Sequence, residues 1–361
     1  MPRASRRLAI LLALLHGGLH AQAPRTTHVI LVTFDGVRPQ EFFGGLDSSI
    51  VNAAESLSGI NHPDEVRARY GQATREERRR AVMPFFWDSL APHALVLGDT
   101  TIGSRVTITN PHGFSAPGYL ELLTGQARLD VTSNDPVRYP HRTVLELVRE
   151  QLHLPEEGVA LFGSWENFRT YAASRADAVL VNAGFDTLPT RVATPRLREL
   201  ERLERRSPPL WDGARLDVFT GAMAIEYLKV RRPRLLFVAF DDTDDLAHSR
   251  RYDRLLDALH GLDDFLRELW QTVQTTPGYR DQTTIILTTD HGRGHTTRDW
   301  TDHGDDVKGS EQMWLAAFGA GVAPGMEGTA TQSQVAPTIL SLLGLDHDIL
   351  GPGTASPLQL R

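Results

Sequence analysis

The feature that most constrains the fold of this chain is an alternation of short apolar runs with longer segments of helical pattern. Parallel strands are buried on both faces and therefore need helices on both sides. The alternation predicts an α/β fold with three α/β/α layers and a mostly parallel central sheet. The clearest predicted strands are His28–Phe34, Leu235–Phe240, Thr283–Thr289 and Met313–Gly319.

Weaker patterns complete the predicted set of elements. Shorter strands are indicated near Leu95, Leu161 and Val179. A segment rich in Arg, Glu and Leu, residues 195–211, indicates an exposed helix followed by a loop, and residues 44–80 are expected to form a polar, helical cover over a site. The predicted helices are Thr143–Gln151, Asp217–Arg231, Tyr252–Gln274 and Gln334–Leu343.

Composition excludes several classes of protein. The formal net charge of −7 over 361 residues, without a long basic run, disfavours nucleic-acid binding. The absence of cysteine excludes disulfides and leaves His and carboxylate groups as the ligands for any metal ion. The length suits one large domain or two small ones, and we interpret residues 24–361 as a single catalytic domain. Nothing in these patterns indicates an oligomeric state.

The first residues have the pattern of a secretory signal peptide. A basic segment, MPRASRR, precedes the apolar run LAILLALL and small residues near Ala21 and Ala23. The alternative is an uncleaved anchor, which would need about 18 or more apolar residues to span a bilayer. We therefore predict a signal peptide over residues 1–23, no stable membrane anchor, and a secreted or periplasmic protein.

Acidic residues follow three of the strong strands directly. Asp35 follows the first, a run of acids that includes Asp244 follows the second, and Asp290 with His291 follows the third. A single such Asp could merely cap the next helix. Three of them are better explained by a site, because ligands of open α/β sheets bind outside the carboxyl ends of the strands.

Histidine spacing strengthens the prediction of a metal site. Asp244 and His248 lie four residues apart, so their side chains can converge on one ion. The sequence Asp-His-Gly occurs at Asp290-His291 and again at Asp302-His303. Carboxylate and imidazole ligands suit Zn²⁺ or Mn²⁺.

A serine near the start of a predicted helix is the candidate nucleophile. Ser115 ends the turn-rich stretch TNPHGFS and precedes the helical run GYLELLTG. A helix N-terminus favours a bound oxyanion, and a nearby metal ion would lower the pKa of the hydroxyl. The alternative is that Ser115 only caps the helix.

These segments, taken in order, resemble the alkaline phosphatase superfamily of metal-dependent hydrolases, which includes nucleotide pyrophosphatase/phosphodiesterases, phosphoglycerate mutases and sulfatases. The similarity runs from about His28 to Leu345. It is carried by VTFDGVRPQEFF, FSAPGYLELLTG, FDDTDDLAHSRRYD, TTDHGRG, the second DHG and VAPTILSLLGL.

The resemblance implies two divalent metal ions, with zinc favoured and manganese the alternative. One ion would be held by Asp35, Ser115, Asp290 and His291, and the other by Asp244, His248 and His303. Ser115 would attack the phosphorus of a small-molecule phosphate ester, a monoester or a diester, and form a covalent phosphoserine. Asn134 matches an Asn that contacts a non-bridging oxygen in the phosphodiesterase branch.

The resemblance also separates the branches of the superfamily. Sulfatases require an arginine four residues after the modified residue, where this chain has Tyr119, so we expect phosphoryl rather than sulfuryl transfer. Alkaline phosphatases place an arginine near the nucleophile, and Arg38 is the nearest candidate here. The alternatives left open are a sulfatase-like or phosphonate hydrolase on the same core and a catalytically weak metal-binding surface protein.

Overall fold

A computed structural model of the chain describes residues 26–360, so the predicted signal peptide lies outside the described residues. Ten strands are present within this range. They are β1 (His28–Phe34), β2 (Leu95–Leu97), β3 (Arg105–Thr107), β4 (Val159–Gly163), β5 (Leu180–Ala183), β6 (Leu235–Phe240), β7 (Thr283–Thr288), β8 (Gln312–Met313), β9 (Leu315–Gly319) and β10 (Thr329–Thr331).

Thirteen α-helices connect the strands of the described range, and none of them is both long and apolar enough to cross a membrane. They are α1 (Pro39–Gly44), α2 (Ser48–Val51), α3 (Glu55–Ser58), α4 (Pro63–Tyr70), α5 (Arg75–Val82), α6 (Ser115–Thr124), α7 (Val144–Gln151), α8 (Phe168–Tyr171), α9 (Pro195–Glu204), α10 (Asp217–Arg231), α11 (Asp242–His248), α12 (Tyr252–Thr275) and α13 (Val335–Leu342).

The central sheet has seven strands in the order β2-β9-β7-β1-β6-β4-β5. The five strands from β7 to β5 are mutually parallel, whereas β9 runs antiparallel to both of its neighbours. A smaller sheet has the order β10-β3-β8. The predicted α/β class with a mostly parallel central sheet is therefore confirmed.

Two hydrophobic cores, one on each face of the central sheet, create the three layers. Along β1, Ile30, Val32 and Phe34 pack into one core, while Val29 and Leu31 pack into the other, because successive side chains of a strand point to opposite faces. Residues of α1, α5, α10 and α12 fill the first core, and residues of α6, α7 and α13 fill the second.

Most predicted elements are present within one or two residues of their expected ends, but two predictions need correction. The predicted strand Met313–Gly319 is divided, because Trp314 lies between β8 of the small sheet and β9 of the central sheet. The Trp314 ring stacks on Phe42 and its Nε1 donates to Val37 O, which holds this crossing point in the core. The helix predicted to be exposed, α9, instead buries one face, including Leu197 and Leu200.

The segment of residues 44–80 packs beside two loops of the carboxyl edge. Arg250, two residues after His248, donates from Nη1 to Ser56 O at 2.7 Å. Trp300 donates from Nε1 to Leu57 O at 2.9 Å, three residues before His303. The segment therefore contacts the chain just after His248, at the end of α11, and just before His303.

The two-faced core predicts a large cost for a truncation within the central sheet. Phe162 of β4 is fully buried and lies against the Tyr227 ring. We expect Phe162→Ala to lower the free energy of unfolding by about 3–5 kcal/mol, measured by urea denaturation. Val218→Ala, at a side chain that is 68% exposed, is the control and should change it by less than about 0.5 kcal/mol. Equal effects of the two substitutions would contradict the proposed layering.

Candidate metal centre and nucleophile

The carboxyl ends of three neighbouring parallel strands bring the acidic residues together. Asp35 directly follows β1, Asp290 lies two residues after the end of β7, and Asp244 lies in the first turn of α11, directly beyond β6. Strand β1 pairs with both β6 and β7, so the three segments emerge side by side at one edge of the sheet. This is the edge at which open α/β sheets bind ligands.

The first group at this edge consists of Asp35, Asp290 and His291, whose ligand atoms all lie within 4.8 Å of one another. His291 Nε2 is 3.4 Å from Asp35 Oδ1 and 3.5 Å from Asp290 Oδ2. The other ring nitrogen, Nδ1, lies 2.9 Å from the carbonyl oxygen of Gly292, which can only accept a hydrogen bond. Nδ1 therefore carries the proton of the neutral ring, and the Nε2 lone pair faces the carboxylates.

The second group consists of Asp244, His248 and His303, whose ligand atoms also lie within 4.8 Å of one another. His248 Nε2 is 3.0 Å from Asp244 Oδ2, because the two residues are one turn apart on α11. His248 Nε2 and His303 Nε2 are 2.9 Å apart. The sequence places these three residues on two distant segments, and the fold makes their ligand atoms converge.

The composition of the two groups fits divalent cations. Asp35 Oδ1 and Asp290 Oδ2 are buried and have no hydrogen-bond partner within the described residues. An unpaired buried carboxylate oxygen is costly unless a cation compensates it. Carboxylate oxygens and imidazole nitrogens are ligands of Zn²⁺ and Mn²⁺, so the residues present could hold such ions.

Burial and charge shift the pKa values of these groups strongly. Burial, reinforced by the charge of Asp35, raises the pKa of Asp290 to about 8. Burial opposes protonation of His291, but Asp290 and Asp35 outweigh it and raise the pKa of His291 to about 9. Burial, together with the charge of His291, lowers the pKa of both His248 and His303. The last two rings are therefore neutral at pH 7, as metal ligands must be.

Ser115 lies beside the first group. It is the first residue of α6, is 6% exposed, and its Oγ lies 3.4 Å from His291 Nε2. Phe114, in extended conformation, occupies the N-cap position, and the cap has no side-chain hydrogen bond. The alternative that Ser115 serves only as a helix cap is therefore not the arrangement in this structure.

Asn134 is brought to the same helix end from a separate loop. Its Oδ1 accepts a hydrogen bond from the Ala116 N–H at 2.9 Å, and its backbone carbonyl accepts one from Asn167 Nδ2 at 2.7 Å. Asn134 is exposed, unlike Ser115. Its side chain is thus anchored next to the serine at the edge of the site, and its amide nitrogen makes no hydrogen bond within residues 26–360, so it can act as a donor.

A buried glutamate, which the sequence patterns did not identify, holds the loop that leads into Ser115. The Glu121 carboxylate accepts hydrogen bonds from the backbone and side chains of Thr109 and Asn110, and from Ser333 N. Asn110 Oδ1 in turn accepts from His112 N and Gly113 N. The sequence did contain a signal for this role: an acidic residue lies within the apolar helical run LELL, and a buried carboxylate needs hydrogen-bond or charge partners.

Two further contacts in the site were not predicted from the sequence. The Tyr119 hydroxyl donates to Asp35 Oδ2 at 2.8 Å, and the Arg293 guanidinium contacts Asp244 and donates to Thr301 O at 2.6 Å. Gly36 allows this approach: its φ is +61°, and a Cβ there would lie 2.4 Å from Asp244 Oδ1. Burial lowers the pKa of Arg293 to about 9.

Arg38 is not available as a phosphate-binding arginine, contrary to its position as the nearest candidate in sequence. The side chain is 2% exposed. Its Nε donates to Glu41 Oε2 at 2.9 Å and its Nη1 donates to Gly294 O at 2.8 Å. Arg38 therefore ties α1 to the loop that follows Asp290 and His291.

Several solved structures share the fold of this chain. The lipoteichoic acid synthase LtaP from Listeria monocytogenes matches with a TM-score of 0.55 and 12% identity, over 92% of this chain and 74% of that one. A protein in the alkaline phosphatase superfamily from Vibrio parahaemolyticus gives 0.54 and 13%, over 94% and 72%. The zinc complex of the C-terminal periplasmic domain of EcEptC from Escherichia coli gives 0.52 and 11%, over 94% and 88%. These likenesses establish the fold.

Sequence comparison identifies the family. No curated protein sequence matches the chain significantly. The profile of the type I phosphodiesterase / nucleotide pyrophosphatase family matches residues 105–330, which is more than half of the chain. The matched region begins with β3 and includes Ser115, Asn134 and the histidines of both groups. The chain therefore belongs to the type I phosphodiesterase / nucleotide pyrophosphatase family and is a hydrolase that acts on ester bonds.

Proposed function

We propose that this protein is an exported phosphoesterase that cleaves small-molecule phosphate esters with Ser115 as the nucleophile and two divalent metal ions. The observation that carries the proposal is the position of the Ser115 hydroxyl, 3.4 Å from His291 Nε2, at a helix N-terminus beside buried carboxylates. A serine with a purely structural role would not need this setting. The catalytic domain spans residues 24–361, behind a signal peptide over residues 1–23.

In this proposal each group of side chains holds one ion. Asp35, Ser115, Asp290 and His291 would hold the first, and Asp244, His248 and His303 the second. When bound, the ions would lower the pKa of the serine hydroxyl and neutralise charge on the transferring group. The carboxylate and imidazole donors suit both ions; zinc is favoured because the protein is expected to be exported, and manganese is the alternative. The EcEptC domain with the same fold is a zinc complex, which supports this choice.

The chain's own residues account for the two halves of the reaction. In the first, Ser115 Oγ forms a bond to phosphorus, the bond from phosphorus to the leaving oxygen breaks, and the serine proton passes to the alcohol released. In the second, water attacks the phosphoserine, which restores the Ser115 hydroxyl and releases the phosphate product. The N-terminus of α6 contributes partial positive charge beside the transferring phosphoryl group.

The nucleophile hypothesis predicts the behaviour of Ser115→Ala. We expect the wild type to hydrolyse p-nitrophenyl phosphate or bis-p-nitrophenyl phosphate, to lose this activity in chelator, and to regain it with Zn²⁺ or Mn²⁺. Ser115→Ala should lower the rate by about 10³-fold or more while folding normally. The matched control is Ser58→Ala, a buried serine whose Oγ donates to Ala54 O and accepts from Ile60 N.

The same assay separates the alternatives. Turnover of p-nitrophenyl sulfate alone would favour a sulfatase-like hydrolase. Full activity of Ser115→Ala, at the level of Ser58→Ala, would exclude the serine as nucleophile. A metal-loaded protein that hydrolyses none of the three esters would favour a role in binding.

The position of Asn134 predicts that its amide donates to the phosphoryl group. We expect Asn134→Ala to lower kcat/KM by about 10²-fold, as the removal of one oxyanion donor does. Asn134→Asp is the informative partner, because it keeps the acceptor for Ala116 N–H, loses the amide donor and adds a negative charge beside the phosphoryl group. A loss in Asn134→Asp at least as large as that in Asn134→Ala supports the donor role. Normal activity of Asn134→Asp would show that Asn134 serves only to anchor its loop.

The shifted pKa values predict how the stability of the metal-free protein depends on pH. Folding raises the pKa of Asp290 from 3.8 to about 8 and that of His291 from 6.5 to about 9. Between about pH 6.5 and 8 the folded state therefore holds more protons than the unfolded state, and the free energy of unfolding must fall as the pH rises.

Thermal unfolding in EDTA tests this dependence. The Tm of the metal-free protein should fall from about pH 6.5 to about pH 8, and the gain in Tm on adding Zn²⁺ should grow over the same range. Asp290→Asn, which cannot release this proton, should flatten the profile. A metal-free Tm that rises with pH across this window would contradict the description of the site.

A further inference from the structure

Tyr119 links the helix of the proposed nucleophile to the first group of carboxylates. It follows Ser115 by one turn of α6, and its hydroxyl donates to Asp35 Oδ2 at 2.8 Å. Tyr119 is fully buried and Asp35 is 1% exposed. Water therefore cannot replace this hydrogen bond, and a low local dielectric strengthens it.

The bond distinguishes the two oxygens of Asp35. Oδ2 is engaged by the phenol, whereas Oδ1 has no hydrogen-bond partner within residues 26–360 and lies 3.4 Å from His291 Nε2. Rotation of the carboxylate out of its present plane would break the hydrogen bond to the phenol. The fixed phenol opposes that rotation and keeps Oδ1 directed to the side of His291.

We propose that Tyr119 is a positioning residue that orients Asp35 for a divalent ion and thereby couples the nucleophile helix to the metal site. This inference rests on the metal site of the proposed function. Hydrogen bonds from neighbouring groups orient metal ligands in this way and commonly change metal affinity by about 10–100-fold.

The surroundings of Tyr119 hold its hydroxyl in one place. Its ring meets the Phe168 ring edge-on, with centroids 4.6 Å apart, and packs near Phe237. The preceding residue, Gly118, packs on the backbone of Asp290, since a Cβ there would lie 2.5 Å from the Asp290 carbonyl oxygen. Helix α6 thus touches the first group at two points, so a shift of the helix would move Ser115 and disturb Asp35 together.

The test compares Tyr119→Phe with Tyr227→Phe in the full chain. Tyr227 is also fully buried, but it lies on α10, in the core on the other face of the sheet. Its hydroxyl donates to Glu157 O at 2.8 Å. Each variant loses one buried hydroxyl, but only the first loses a contact with a proposed ligand. The measurement is the Zn²⁺ dissociation constant of the metal-free protein, obtained by competition with a chromophoric chelator.

We expect Tyr119→Phe to weaken zinc binding by about 10–100-fold and Tyr227→Phe to leave it unchanged. The kcat of Tyr119→Phe should recover as zinc is raised, since the ligands themselves remain. Equal zinc affinities in the two variants would overturn the inference while leaving the phosphoesterase proposal intact. A wild type that binds no zinc would overturn the proposed metal site and this inference with it.

A second measurement applies if Tyr119→Phe fails to fold. The wild type can be labelled with 3-fluorotyrosine at its seven tyrosines and followed by ¹⁹F NMR during zinc addition. The Tyr227 resonance is the one missing from the spectrum of Tyr227→Phe. We expect a different tyrosine resonance to shift when zinc is added. A spectrum in which no tyrosine resonance shifts would overturn the inference.

Discussion

The mutual repulsion of three clustered carboxylates is the constraint on which the rest of this site depends. Asp35, Asp244 and Asp290 emerge from neighbouring parallel strands at one edge of the sheet. Their burial would be unfavourable without compensation. The surrounding structure compensates part of the negative charge through the Tyr119 hydroxyl, the Gly36 N–H and the Arg293 guanidinium. The uncompensated oxygens that remain are those we assign to metal ions.

Helix α6 connects this edge to the second core. Its apolar side chains pack with α7 and α13 beneath the sheet, which fixes the helix axis. Its polar groups make three further contacts: Ser115 lies beside His291, the Tyr119 hydroxyl donates to Asp35, and Glu121 holds the preceding loop. One rigid element therefore sets the geometry of the proposed nucleophile relative to the proposed metal ligands, as a site with little tolerance for displacement requires.

The fold of this chain is shared by proteins whose sequences differ from it at most positions. Solved structures at 11–13% identity keep the fold over more than nine-tenths of this chain. A core of this kind tolerates extensive apolar substitution as long as volume and pattern are kept. On folds shared at such low identity, function generally depends on a small number of side chains at the strand ends, and substrate choice on the loops around them.

Sequence patterns anticipated the local features well. The strands around Val32, Val238 and Leu287 follow from continuous apolar runs, and the acids that follow them mark the edge of the sheet. The i, i+4 spacing of Asp244 and His248 is local too, and is met on α11. The sequence did not reveal that the predicted strand Met313–Gly319 is divided at Trp314 or that α9 buries one face, because both features depend on partners distant in the chain.

What the sequence by itself determined is the fold class, the alternation of strands and helices, and the residue types available for chemistry, since these depend on periodicity and local order. Only the tertiary structure decided that the Tyr119 hydroxyl donates to Asp35, that Arg293 lies against Asp244, and that Arg38 is enclosed by Glu41 and Gly294. Such contacts join segments that are far apart or depend on side-chain direction, and no local pattern encodes the distance between two side chains that meet only when the sheet and its helices pack.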